Sequence, residues 1–307
     1  MSSELNIEST PQAVPVGYGY KPVTKVPNWH GLVTWDILLN NLSTGLFIAA
    51  AMGELTAPAS FRALADVAYP VALLLLTADL VCLVLDLGDA WRFHHMLRIW
   101  KPSSPMSLGT WVLTAYSVPV TLLALMSFVP AGGPALEWAR RFLLVAGSAL
   151  ALGAAAYKGV LFSTTAQAGW RHARWLGAYL ANSALVLGTA ELMLLGIVLG
   201  RPAAVAPLRS ALLLLLILNL LVLSLVLIDL RASLLRARAP RVLGTIGALV
   251  VVAGLIVPLG LLAVGTPAAV IGAVLLILLG ALVARSEIVQ LPHLLADTAP
   301  VGTSSVH

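Results

Sequence analysis

The residues best suited to chemistry in this sequence are ionisable side chains inside long apolar stretches. An ionisable group at membrane depth is costly unless it is paired or hydrated, so each one suggests a functional role. Asp79 and Lys158 lie at similar depth in two such stretches, which predicts a buried Asp–Lys pair. Such a pair also fits a purely packing role that pins two helices together. Glu191 stands alone in a third stretch. We predict that these three residues transfer protons.

A second group of polar residues meets at one end of the apolar stretches. Asp36 and Asn40 are four residues apart, so they share one face of a helix. Tyr157 and Lys158 lie near the end of a later stretch on the same side, and a loop rich in acids, histidines and tryptophans enters there. An apolar ring with carbonyl groups needs this combination of an apolar slot, donors for its oxygens and acids that exchange protons with water.

Two further acids, Glu54 and Asp229, lie close to the ends of apolar stretches. A carboxylate at such a position reaches the water around the lipid headgroups. Asp229 is also close in sequence to Arg231 and Arg236, so a local ion pair explains it. We therefore expect no special site at either residue.

The composition of the chain is that of a membrane protein. Of its 307 residues, 60% are apolar and 10% are charged, with a mean hydropathy of +0.96. An average soluble domain has about 45–50% apolar and about 25% charged residues. The values exclude a soluble enzyme, a nucleic-acid binder and a disordered chain. The single cysteine, Cys82, excludes a disulfide framework, a zinc ribbon and a self-contained iron–sulfur cluster.

Eight apolar stretches are long enough to cross a bilayer. A helix needs roughly 20 apolar residues to span a hydrocarbon core about 30 Å thick. We predict an all-α polytopic protein with eight transmembrane helices between an interfacial arm at 1–31 and a tail at 286–307. The transmembrane domain covers 32–285, and its spans lie at about 32–53, 67–87, 108–129, 142–164, 176–199, 210–230, 242–264 and 268–285.

The basic residues indicate how the chain is oriented. We call side A the membrane side that holds the N-terminus, the loops after the even-numbered spans and the C-terminus, and side B the opposite one. Side A holds twelve of the 18 Lys and Arg residues, with Arg285 among them, and side B holds five, while Lys158 lies inside a span. Because basic loops stay in the cytoplasm, both termini are predicted to be cytoplasmic.

The six histidines argue against a haem-carrying subunit. A membrane haem b is held between histidines inside helices. Here all of them lie in loops or at the ends of spans. We expect neither haem nor metal in this chain, so a redox centre belongs to a partner or to a lipid-soluble carrier. The histidines are His30, His94, His95, His172, His293 and His307.

The most specific motif lies between the second and third spans. Residues 86–111 contain Asp-Leu-Gly, then Arg-Phe, then Ser-Pro-Met-Ser-Leu-Gly-Thr-Trp. In the last part Pro105 fixes φ and the hydroxyls of Ser104 and Ser107 cap free amides, which predicts the start of the third helix. With Tyr157-x-Gly159 near the end of the fourth span, this pattern closely resembles the NrfD/PsrC-like family. Its members are the membrane subunits of polysulfide, nitrite and related respiratory reductases.

The resemblance implies a haem-free quinone site among the first four spans. Menaquinone or ubiquinone is the exchangeable cofactor, and Asp36, Tyr157, Asp89 and Arg92 are the quinone contacts that carry over, with Asn40 beside them. It also implies a docked ferredoxin-like iron–sulfur subunit, connected to a molybdopterin catalytic subunit or to multihaem cytochromes. The residues expected to dock that partner are Arg92, His94, His95, Arg98 and Lys101.

These observations define one preferred function and two alternatives. We expect a subunit of a respiratory redox complex, in the bacterial cytoplasmic (inner) membrane, that exchanges electrons between the quinone pool and the iron–sulfur partner. The chain alone is not catalytic. One alternative is a secondary transporter or proton channel that uses Asp79, Lys158 and Glu191 as its track. The other is a structural anchor that binds no quinone.

Overall fold

Eight long helices make up the part of the chain that the structure describes. The computed structural model describes residues 31–297, apart from positions 88, 90, 92, 130, 131, 166 and 168. Each long helix is apolar enough to cross a membrane, and these ranges contain no strand. The all-α polytopic prediction is thus confirmed. The helices are α1 (Gly31–Thr56), α2 (Pro58–Leu85), α3 (Pro105–Met126), α4 (Pro134–Ser163), α5 (Leu176–Val198), α6 (Pro202–Ala237), α7 (Pro240–Val264) and α8 (Pro267–Asp297).

Six of the eight helices begin at a proline. Proline suits the first helical position because its fixed φ matches the helix and its missing N–H has no partner there anyway. Several helices therefore begin earlier than the apolar pattern predicts, as α2 does at Pro58 rather than near residue 67. At the other end α8 continues to Asp297, past residue 285 where the sequence predicts a tail. Hydropathy marks only the part of a helix in hydrocarbon, whereas the helix itself continues into the headgroup region.

Helix α1 lies at the centre of the molecule. It packs against α2, α4, α5 and α8. In its apolar stretch 78% of the residues are buried, against 28% in α2 and in α6. A helix that is covered on all sides has to bury every polar side chain that it carries. The polar residues of α1 therefore face protein rather than lipid.

Two glycines set the closest approach in this bundle, between α1 and α5. A Cβ atom on Gly45 would overlap the backbone carbonyl of Ala184, and one on Gly188 would overlap the backbone of Gly45. Small residues allow helix backbones to touch in a membrane, where lipid tails compete for every apolar contact. This crossing connects α1 to the second half of the chain.

Helix α7 is irregular in its middle. Residues Ala248–Ile256 form a π-helical segment, which is wider than an α-helix, and Pro258 follows it. Proline removes a helical hydrogen bond and clashes with the carbonyl four residues earlier, so the wider turns relieve that conflict. Within the segment Gly254 packs on Gly280 of α8, where an added Cβ would lie 2.9 Å from Gly280 Cα.

Candidate functional site

A buried cluster of charges joins α1, α2 and α4 near side A. The Lys158 ammonium donates to Asp36 Oδ1 at 2.7 Å, to Asp79 Oδ1 at 2.9 Å and to the Asp36 carbonyl at 3.1 Å. These bonds use all three of its N–H donors. The predicted Asp79–Lys158 pair is therefore present, and Asp36 completes it as a second carboxylate. All three side chains are at most 6% exposed.

Asn40 supports this cluster from behind. Its side-chain amide donates to Asp79 Oδ2 at 3.1 Å, one helical turn deeper than Asp36 on the same face of α1. Two carboxylates and one ammonium carry one negative charge in excess when all are ionised. A single proton therefore makes the cluster neutral, which matters in a region where net charge is costly.

A cavity opens directly beside the cluster. Asp36, Lys158 and Tyr157 line it together with apolar side chains from α1, α2 and α4, and it holds about 140 Å³. An apolar cavity of about 150 Å³ accommodates a benzene ring, so this one has the size of a ring headgroup. Asp86 and Thr110 add polar groups to the same wall. Asn40 and Asp79 do not line the cavity but hold the residues that do.

The loop between α2 and α3 closes the cavity on side A. Ser104 caps α3 by accepting from the Ser107 amide at 3.5 Å, and Pro105 is the first helical residue, which confirms the predicted helix start. The Ser107 hydroxyl and the Trp111 indole N–H both donate to the Ile99 carbonyl, at 2.9 and 3.2 Å. The motif residues thus fix the returning part of the loop against α3, while Met96 and Met106 contribute to the cavity wall.

Gly109, another motif residue, makes room for Tyr157. A Cβ atom at position 109 would overlap the tyrosine ring. On α4, Gly159 lies so close to α5 that an added Cβ would be 2.5 Å from the Gly177 amide nitrogen. The two glycines of the motif therefore help to position the Tyr157 ring. Gly109 leaves space for the ring, and Gly159 lets α4 pack closely against α5.

The outer part of the loop is exposed and carries the residues predicted to dock a partner. Trp91, Ile99 and Trp100 are 84%, 60% and 62% exposed. Asp89 is exposed as well and does not line the cavity. The acid of this region that does line it, besides Asp36 of α1, is Asp86. Arg92 lies outside the described residues. The other predicted docking residues, His94, His95, Arg98 and Lys101, are all exposed.

Arg285 is buried, although the sequence counts it among the charges at the surface of side A. Its guanidinium is fully enclosed and donates to Asn41 Oδ1 at 2.6 Å, to Ser183 Oγ at 3.1 Å and to the Ala281 carbonyl at 3.0 Å. No carboxylate pairs with it in the described ranges. Asn41 is the neighbour of Asn40, so Arg285 ties α8 to the helix that carries the cluster.

A second ionic network occupies the side B end of the bundle and corrects the expectation for Glu54. Glu54 is 4% exposed and does not reach headgroup water. Arg140 binds it through two hydrogen bonds, at 2.6 and 3.0 Å, and also donates to Asp66 at 2.6 Å. The Tyr69 hydroxyl donates to the same carboxylate at 2.8 Å. The expectation failed because Glu54 has two counter-ions inside the bundle: Arg140 from α4, far away in sequence, and Arg62 from α2, 3.1 Å away.

The two remaining acids have different surroundings. Asp229 pairs with Arg174, whose side chain lies 3.3 Å away and whose backbone amide lies 3.1 Å away, rather than with Arg231 or Arg236. Glu191 takes no part in the charge cluster. Its Oε2 atom is buried and has no hydrogen-bond partner among the described residues. Proton transfer through Glu191 thus stays a prediction.

Asp86 and Asn41 belong to the polar residues near side A but had no role assigned from the sequence, and Thr110 and Arg285 were missed as parts of the site or its support. Asp86 and Thr110 both lie inside the motif at residues 86–111, which was a usable signal. Asn41 and Arg285 gave none, because their contact joins residues 244 positions apart.

The fold and the cluster define a multi-pass membrane protein with a buried polar site and a ring-sized cavity. A family model described as polysulfide reductase, of the NrfD type, matches residues 15–293. The chain therefore belongs to the NrfD-type polysulfide reductase family, as the motif resemblance implied, and is a membrane subunit of a redox complex. No curated protein matches the chain at a significant level.

Proposed function

We propose that this subunit exchanges electrons between the quinone pool and an iron–sulfur cluster held by a docked subunit. The observation that carries the proposal is the cavity bounded by Asp36, Lys158 and Tyr157 at the end of four helices. Menaquinone or ubiquinone is the substrate in this proposal. A ferredoxin-like partner holds the cluster, and a molybdopterin subunit or multihaem cytochromes complete the complex.

The residues present fit a quinone ring. Leu83, Leu161 and Phe162 give the cavity an apolar wall, while Tyr157 and the Asp36–Lys158 pair supply hydrogen-bonding groups on one side. A mostly apolar pocket with a small number of well-positioned polar groups is typical of sites for such ligands. A bound quinone supplies a couple of two electrons and two protons. Tyr157 donates its hydroxyl proton to a ring oxygen, and Asp36 donates to the other oxygen when it carries the proton of the cluster and accepts from a quinol hydroxyl when it is ionised.

The charge cluster is suited to exchange protons with the cavity. Asp36 borders the cavity and shares the Lys158 ammonium with Asp79. Because the fully ionised cluster has one excess negative charge, it takes up one proton and releases it again without ever becoming a net cation at membrane depth. Asn40 keeps Asp79 oriented in both states through its hydrogen bond to Oδ2.

The exposed loop above the cavity is the docking surface in this proposal. It presents His94, His95, Arg98 and Lys101 together with exposed tryptophans, a combination suited to an acidic protein surface. Met96 and Leu87 of the same loop line the cavity, so a partner on this surface lies next to the ring site. Counting basic residues, we infer that this side and both termini face the cytoplasm, in a bacterial inner membrane.

The test measures quinone binding to the purified complex. A short-tailed naphthoquinone is titrated in detergent, and binding is followed by quenching of tryptophan fluorescence. We expect Asp36→Asn and Tyr157→Phe each to weaken binding about tenfold, because each removes one charged or polar contact worth about 1–3 kcal/mol.

Matched controls remove the same chemical groups elsewhere. Tyr116→Phe deletes a buried hydroxyl on α3 that bonds Ser43, and Asp229→Asn alters an acid paired with Arg174; both should keep the wild-type affinity. Equal affinity in all four variants would falsify the proposal. Absence of any saturable quinone binding would favour a purely structural anchor.

Replacing Gly109 by alanine provides an independent prediction. The added methyl group overlaps the Tyr157 ring, so the ring has to move. We expect Gly109→Ala to weaken naphthoquinone binding at least as much as Tyr157→Phe, in the same titration. The control is Gly153→Ala, whose methyl group meets only the Val112 side chain at 3.2 Å. If Gly109→Ala binds normally, Tyr157 is not a contact.

A further inference from the structure

A second, apolar groove lies between α6, α7 and α8, away from the charge cluster. It holds about 280 Å³ and is lined almost completely by aliphatic side chains, such as Leu230, Ile246 and Ile288. Arg231 and Glu287 are the only lining residues with polar side chains. The groove follows α6 from Leu223 to Leu235, which at the helical rise is about 18 Å. That length is close to one leaflet of the hydrocarbon core, about 15 Å.

The shape of the groove follows from the irregular middle of α7. Gly254 and Gly280 bring α7 and α8 into backbone contact, and two crossing helices separate on either side of their closest point. The groove begins about one turn away from this crossing, at Val250 and Ala284, and continues toward side A. Gly247 contributes no side chain to its wall, and a Cβ atom there would meet nothing within 4 Å.

The mouth of the groove is positively charged. Arg231 borders it, and Arg236 and Arg241 lie exposed in the last turn of α6 and the first turn of α7. The acid at the mouth, Glu287, is already paired with Arg238 at 3.2 Å, and Asp229 is paired with Arg174. In the ranges that the structure describes, none of these three arginines has a carboxylate partner. Three positive charges therefore face the headgroup region at the end of an acyl-sized groove.

We propose that this groove binds one anionic phospholipid from the side A leaflet. An acyl chain fills the aliphatic groove, and Arg231, Arg236 and Arg241 bind the headgroup phosphate. Basic pockets between membrane helices recognise anionic headgroups in this way. A quinone ring fits less well, because Arg231 and Glu287 are the only polar side chains on the wall and Glu287 is already held by Arg238. The site is independent of the quinone cavity.

The experiment compares retention of two lipids by the full chain in its complex. The complex is purified in a non-ionic detergent and incubated with equal amounts of phosphatidylglycerol and phosphatidylcholine of the same acyl chains. Bound lipid is then counted by native mass spectrometry. We expect the wild type to retain phosphatidylglycerol at least fivefold over phosphatidylcholine.

Two glycine variants on one helix test the groove itself. Gly247→Leu fills the groove without strain and should abolish retention of phosphatidylglycerol. Gly244→Leu is the matched control, because position 244 is also open around its Cβ but does not line the groove, and it should retain lipid like the wild type. Their melting temperatures show whether both fold equally.

The arginines are tested without changing the aliphatic wall of the groove. Arg231→Gln should lower the preference for phosphatidylglycerol about twofold, and the triple change of Arg231, Arg236 and Arg241 to glutamine should abolish it. Arg171→Gln removes an exposed basic residue between α4 and α5 on the same side and should leave the preference unchanged. If Gly247→Leu does not fold, this series decides the question.

Three results overturn the proposal. The first is equal retention of both lipids by the wild type. The second is retention of as much lipid by Gly247→Leu as by Gly244→Leu, and the third is a triple variant that keeps the full preference. If the species that Gly247→Leu displaces is a quinone or a polypeptide, the groove belongs to that occupant instead.

Discussion

A Lys158→Met variant is expected to lose about 3–5 kcal/mol of stability, because removing one partner of a buried ionic cluster leaves uncompensated charge. Lys158 is the counter-ion of both Asp36 and Asp79, at 2.7 and 2.9 Å, and all three groups are buried between α1, α2 and α4. The measurement is the free energy of unfolding of the detergent-solubilised chain, from titration with a denaturing detergent.

Two further variants separate lost charge compensation from lost packing. Lys158→Met combined with Asp79→Asn removes one of the two stranded carboxylates, so it should recover part of the lost stability. Lys101→Met removes an exposed lysine and should change stability by no more than about 0.5 kcal/mol. A Lys158→Met variant as stable as Lys101→Met would show that the cluster does not depend on the ammonium.

The second large effect is expected for Gly188→Ala. The new methyl group overlaps the backbone of Gly45, which cannot move aside as a flexible side chain does. Helices α1 and α5 must therefore separate, and we expect a loss of about 3 kcal/mol or more, at the upper end of overpacking effects. The yield of folded protein and its unfolding in the same titration measure this loss.

Gly196→Ala is the matched control on the same helix. Its Cβ would lie 3.3 Å from a methyl group of Val205, a contact that a small side-chain movement relieves. We expect a change of no more than about 1 kcal/mol at this position. Similar losses for the two variants would mean that the α1–α5 crossing is not the tight contact that the backbone geometry indicates.

The sequence carries enough information to predict the membrane spans and one part of the site. Eight apolar stretches of the right length predict eight helices, because hydrocarbon thickness leaves little choice. The Asp79–Lys158 pair was also predictable, since two opposite charges at equal depth in a membrane have few other ways to be satisfied. The start of α3 followed from Ser104 and Pro105.

The rest depends on how the helices are rotated against each other. Asp36 was predicted as a ring contact but not as a partner of Lys158, because α1 carries polar residues on more than one face, Asn41 among them, so its sequence does not show which face meets α4. Glu54 and Arg285 were misplaced at the surface for the same reason. Their closest partners, Arg140 and Asn41, lie on helices that only the folded bundle brings into contact, although Arg62 of the neighbouring α2 also pairs with Glu54.

The bond between Arg285 and Asn41 has a consequence for how the protein is made. It connects the first helix with the last, across 244 residues of chain. A ribosome adds about 5–20 residues per second, so Asn41 waits about 12–50 s for its partner to be synthesised. During that time the side-chain oxygen of Asn41 lacks its Arg285 donor, although its amide N–H reaches the Ala155 carbonyl once α4 is in place. The helix that is inserted first is thus among the last to obtain all its hydrogen bonds. A nascent chain that stops before α8 leaves the Asn41 oxygen without its Arg285 donor.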